Sequence, residues 1–200
     1  MVRYEECYAK LVLENFFPVR YCDLQIQDCP DLFTNDEKIG IEVTTAENPF
    51  EKAAQINAKI SKGQVRNKQG AIREIEKCGG TYSKWGIVFS QEIDYVGALK
   101  DAIEKKIKKL NSSHYRDFQI YDLFVASNIE MDNDTLSDAL ESLEDKQSNN
   151  HRKFSRIYIV SPWNIYELDT SKQQYFLHAF PSETQTYLAK KARALLSKTE

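Results

Sequence analysis

The stretch PDLFTNDEKIGIEVTT, residues 30–45, constrains the fold of this chain more than any other. Leu32–Thr34 and Ile39–Val43 are rich in strand formers, and the polar run Asn35-Asp36-Glu37-Lys38 between them is a turn signal. A hairpin closing symmetrically about Asp36-Glu37 sets Asp31 directly opposite Glu42. Opposed residues of an antiparallel pair share a face, with Cβ atoms about 4.5–5.5 Å apart. Two carboxylates at that spacing repel, and a hard divalent cation bound through carboxylate oxygens compensates them. On the same argument, removing Glu42 relieves repulsion and leaves the fold intact or more stable. The plainer alternative is a solvent-facing hairpin with incidental acids.

Alternation with period two sends Ile39, Ile41 and Val43 into a core and leaves Gly40, Glu42 and Thr44 on a polar, open face. A helix over 3–17 precedes the hairpin, with Tyr4, Tyr8, Leu11, Val12 and Phe16 as its stripe; Glu5 borders its buried side and Glu6 is rotated away. A strand follows at about 21–26. After the hairpin, Asn48-Pro49-Phe50-Glu51 reads as a capped helix start, giving a helix to about Lys62 and a second, short one ending near Cys78. Lys84–Ser90, Gln119–Ser127 and Arg156–Ser161 are apolar enough for central strands. Helices are expected at Tyr95–Leu110, about Asp134–Lys146 and Ser182–Ser197, and Trp163–Leu168 extends or pairs with the strand before it. The order predicts one domain over 1–200, α/β, with a mixed central sheet and flanking helices.

Composition narrows the function. Charged residues are 28% of the chain and no segment reaches the roughly 20 apolar residues of a membrane span, so a cytoplasmic protein without a membrane partner is expected. Cys7, Cys22, Cys29 and Cys78 have neither CxxC nor zinc-finger spacing and read as reduced thiols. The net charge of −3 argues against holding nucleic acid by bulk electrostatics, but not against contact through a bound metal and a local basic patch. His114, His151 and His178 belong to no motif. Neither a phosphate-binding loop nor a nucleophile elbow or dinucleotide fingerprint is present.

A helix, a strand, Pro30-Asp31 on one strand, Glu42-Val43-Thr44 on the next and then a helix: this order resembles the PD-(D/E)XK nuclease superfamily, the restriction-endonuclease-like fold. The ordered pattern covers residues 1–90. The resemblance implies a metal-dependent nuclease hydrolysing phosphodiester bonds, in DNA, in a prokaryotic or phage defence, repair or mobile-element setting. It implies Asp31, Glu42 and the Val43 carbonyl as ligands of Mg²⁺ or Mn²⁺, and Glu5 as an accessory acid. A homodimer is compatible with the two-site cutting of many such enzymes.

The family's lysine falls at position 44, where this chain has Thr44. Lys52, Gln55, Lys59 and Lys62 form one helical stripe, and Lys59 with Gln55 is the candidate substitute. Lys62, Arg66, Lys68 and Arg73 flank a Gly-bounded loop suited to phosphate contacts, and Tyr82, Trp85 and Tyr121 are aromatics that can stack on bases. The run Lys105–Lys109 reads as a solvated outer face. The alternative function is a catalytically inactive protein of the same fold that binds nucleic acid or a protein partner.

Overall fold

A computed structural model describes residues 2–83, 85–89, 95–113 and 115–198. Among the described residues the fold is α/β, with six helices and a mixed seven-stranded sheet ordered β1-β2-β3-β6-β7-β8-β9. The chain divides into two compact units, residues 1–46 with 100–200, and residues 47–99.

The first unit opens with α1 (Tyr4–Phe16), β1 (Gln25–Ile26), β2 (Leu32–Phe33) and β3 (Ile39–Ala46). β1, β2 and β3 form an antiparallel meander in which Leu32 pairs with Ile41 and Phe33 with Gly40. That register places Asp31 opposite Glu42. The turn is closed by Asp36, which accepts from the Thr34 hydroxyl at 2.7 Å and the Lys38 amide at 3.2 Å. Those bonds and the Lys38 ammonium pull its carboxyl down to about 2.

The second unit follows: α2 (Pro49–Ser61), capped by the Asn48 side chain, α3 (Lys68–Lys77), and the antiparallel hairpin of β4 (Gly80–Ser83) and β5 (Gly86–Phe89). Here the expectation of a central strand at Lys84–Ser90 fails. Its middle pairs only with β4 in a two-stranded sheet, with Trp85 and Val88 exposed. Lys84 and Ser90 lie outside the described residues. Apolar composition cannot distinguish a buried strand from one half-covered by two helices.

α4 (Tyr95–Leu110) leads back to the large sheet, where β6 (Ile120–Ser127) runs parallel to β3. α5 (Asn133–Ser148), β7 (Phe154–Val160), β8 (Asn164–Asp169), β9 (Gln174–Ala179) and α6 (Ser182–Leu196) complete the chain; β7 is parallel to β6, and β8 and β9 return antiparallel. β9 is mostly exposed and lacks alternation, so periodicity does not announce it. The Asp134–Lys146 and Trp163–Leu168 readings match α5 and β8 to within a few residues.

Ile41 and Val43 pack with Ala9, Val12 and Leu13 of α1, Phe124, Tyr158 and Leu188 of α6 in one buried cluster. On α1 the buried positions are Glu6, Cys7, Ala9, Val12 and Leu13. The stripe is rotated from the expected one, so Glu6 is buried and Glu5 only half-buried. Nor is the Gly40 face open. A Cβ there would meet the Phe118 ring at 2.9 Å and the Pro30 ring at 3.0 Å. Both neighbours are rigid and buried, so Gly40→Ala is expected to cost about 1–3 kcal/mol by overpacking, read as a lower urea midpoint at unchanged slope.

Candidate active site

Asp31 and Glu42 are buried, 3% and 0% exposed, with their carboxylates converging on one ammonium. Lys106 Nζ sits 3.1 Å from Asp31 Oδ2 and 2.5 Å from Glu42 Oε2. Lys109 Nζ lies 2.9 Å from both Glu42 oxygens and 3.9 Å from Asp31 Oδ1. The face these acids share is therefore covered by α4, not by solvent. The run Lys105–Lys109 is correspondingly not a uniformly solvated face: Lys105 and Lys108 are exposed, while Lys106 and Lys109 turn inward.

Every oxygen of the two carboxylates has a donor. The Val43 amide donates to Asp31 Oδ2 at 2.6 Å, which ties the acid before β2 to the backbone of β3. Arg3 donates from its guanidinium to Asp31 Oδ1 at 3.1 Å and is itself held by Glu6. The Tyr115 hydroxyl donates to Glu42 Oε1 at 2.8 Å. Burial, then the charge and hydrogen bond of Glu42, push the Tyr115 phenol well above its ordinary value, so it stays a donor at any ordinary pH. Burial draws the Lys109 ammonium down, but the Glu42 hydrogen bond and the charges of Glu42 and Asp31 outweigh it, and the net shift is upward. That stabilisation is complete below the ordinary lysine value and lost only as pH climbs through the raised one. Three acids, Asp31, Glu42 and Glu6, thus face three cations, Arg3, Lys106 and Lys109.

Beside this network lies a cleft of about 460 Å³ lined by Arg3, Glu6, Gln27, Asp31, Lys106 and Lys109. The Gln27 amide Nε2 is buried and lacks a hydrogen-bond partner among the described residues. Glu6, not Glu5, is the acid of α1 on this cleft. Among the described residues, no group of three or more His, Cys, Asp or Glu is arranged to hold a metal ion.

The other expected site residues are described by their own elements. Thr44 is half-buried on β3, beside Val125 of β6. Gln55 and Lys59 are exposed on α2 of the second unit, and Lys62, Arg66, Lys68 and Arg73 are exposed on its loop and on α3. Tyr121 is buried, with its hydroxyl accepting from the Phe118 amide at 2.8 Å, so its role is in the core rather than on bases. His178 pairs with Glu167, His151 is exposed, and His114 lies outside the described residues. All four cysteines are free.

Arg3, Glu6, Lys106, Lys109 and Tyr115 were missed by sequence reasoning. One signal was available for Lys106. Leu99, Ile103, Lys106 and Leu110 recur at spacings of four, three and four, so a lysine occupies a position of the inner stripe of α4. Buried lysines are almost always paired.

Compared with protein-family models, curated proteins and solved structures, the chain finds no match. Among the described residues no helix is long and apolar enough to cross a membrane.

Proposed function

We propose that the chain is a metal-dependent nuclease of the restriction-endonuclease-like fold, hydrolysing phosphodiester bonds in DNA. The observation that carries this reading is the convergence of Asp31 and Glu42 on one cation, within a helix, antiparallel meander, helix and parallel strand. Two hard carboxylates already share an ammonium, so their donor chemistry would suit a divalent cation. Asp31, Glu42 and the Val43 carbonyl would hold Mg²⁺ or Mn²⁺, which supplies an activated water and neutralises charge on the phosphate.

The chain's own groups do the rest. The Val43 amide and Arg3 fix the Asp31 carboxylate, and Tyr115 fixes Glu42. Lys109 is partly exposed and borders the cleft, which suits it to an incoming phosphate oxygen. Lys106 and Lys109 supply positive charge beside the acids that Thr44 does not. Gln27 Nε2 adds an unused donor on the same cleft.

A second reading, a catalytically inactive nucleic-acid or protein binder, draws on the same ammonium. Lys106 already satisfies both acids, so the pair is stable without a metal. Cleavage of plasmid and single-stranded DNA with Mg²⁺ or Mn²⁺, wild type against Asp31→Asn, separates the two. Divalent-dependent cutting that falls by about 100-fold or more in the variant is expected. No cutting by the wild type with either ion leaves the binding reading.

A further inference from the structure

Between Lys52 and Arg73 the chain carries six lysines and arginines and not one aspartate or glutamate, although its net charge is −3. All six side chains are exposed. Lys62 and Arg66 stand on the connection that leads from α2 into Lys68, the first residue of α3. The Lys68 ammonium lies 5.6 Å from the centre of the Tyr82 ring on β4. This contact sets the start of α3 against the hairpin near its tip, because Tyr82 pairs with Ile87 and Ser83 with Gly86, one step before the turn.

At that tip Trp85 is 87% exposed. The turn is tied by its own bonds: Ser83 Oγ accepts the Trp85 amide at 3.2 Å and donates to the Gly86 carbonyl at 3.0 Å. Gly86, at φ +127°, supplies a backbone conformation that a side chain disfavours. A large indole is thus presented to solvent in the unit whose α2–α3 connection carries Lys62 and Arg66 and leads into Lys68.

Cations that track phosphates, set beside an aromatic platform, are the parts of a single-strand binding surface. A base offers its face to an indole only when it is not stacked between neighbours in a duplex. We infer that the unit of residues 47–99 binds single-stranded nucleic acid, with Lys62, Arg66 and Lys68 on phosphates and Trp85 stacked on a base. The inference rests on the nucleic-acid part of the proposed function, but needs neither the metal nor the acid pair.

The full chain is tested in EDTA, so that cleavage plays no part. Trp85 and Trp163 are the two tryptophans, and a Trp163→Phe background makes the fluorescence report Trp85 alone. Titration with an oligothymidylate of about 16 nucleotides is expected to quench it saturably, with a duplex of equal length binding at least about tenfold more weakly. Trp85→Ala should weaken binding of a labelled oligothymidylate by about 5- to 150-fold with an unchanged far-UV spectrum, since the indole is exposed. Lys62→Ala with Arg66→Ala should flatten the slope of log affinity against log salt by about 1.4. Unchanged fluorescence, wild-type affinity in Trp85→Ala, or equal binding of the duplex each overturns the inference. Binding that persists in a protein that cuts nothing upholds it while removing the nuclease reading.

Discussion

Glu42→Ala is expected to destabilise the fold by about 3–5 kcal/mol, the opposite of what two facing acids imply in isolation. In the folded chain Glu42 is wholly buried and neutralises Lys106 and Lys109 at 2.5 and 2.9 Å while accepting from Tyr115. Truncation leaves Lys106 with Asp31 alone, takes from the partly exposed Lys109 its close partner, and strands the buried Tyr115 hydroxyl. Breaking one side of a buried pair costs far more than the pair is worth, because the uncompensated charge remains. Glu42→Gln, which keeps the shape and the Tyr115 bond, should cost less. Urea unfolding in EDTA measures both. A midpoint for the alanine variant at or above that of wild type would mean that repulsion between the acids, not attraction to α4, dominates this site.

The second large effect concerns Lys106. Lys106→Met removes the ammonium from between Asp31 and Glu42 and keeps the aliphatic stem. In EDTA the variant should lose about 3–5 kcal/mol, since two buried carboxylates then share only Lys109 and Arg3. With the bridging position open, Mn²⁺ should bind the variant more tightly than wild type, by about tenfold or more. Mn²⁺ at about 100 times its dissociation constant should return about 2.7 kcal/mol. Thermal unfolding with and without Mn²⁺, alongside calorimetric titration of both proteins, reads this directly. Equal stabilisation of wild type and variant would show that the ion does not compete with Lys106 and binds away from the acid pair. A double-mutant cycle between Glu42→Gln and Lys106→Met should give a coupling of about 0.5–3 kcal/mol.

Local chemistry made the hairpin legible. Asn35-Asp36-Glu37-Lys38 could only be a turn, and a symmetric turn sets register by arithmetic, so the Leu32–Ile41 and Phe33–Gly40 pairs follow. Ile39, Ile41 and Val43 of β3 went to the core for the same reason: a pleated strand has a period of two, and its register fixes which side chains share a face. On α1 the same reasoning slipped. Aromatic residues on both sides of the helix left the stripe ambiguous, and the small Ala9 and the acid Glu6, not Tyr4 and Phe16, took the buried face.

What the sequence alone determined is therefore local: a helix, a hairpin that juxtaposes Asp31 with Glu42, a capped helix and a short second one after it, and an α/β alternation beyond. Each follows from turn chemistry, capping or periodicity within a few residues. What covers the acids was a tertiary decision. Lys106 lies 64 residues from Glu42, and Tyr115 lies 73 away. No short-range pattern carries the information that α4 crosses β3 there. The separation of residues 47–99 as their own unit was tertiary too, because a four-residue apolar run reads alike whether it enters a large sheet or a two-stranded one. The charge state of the site follows from packing for the same physical reason. Repulsion between two carboxylates is dictated by their register, but its sign in the fold is set by whichever cation the chain brings back from a distance.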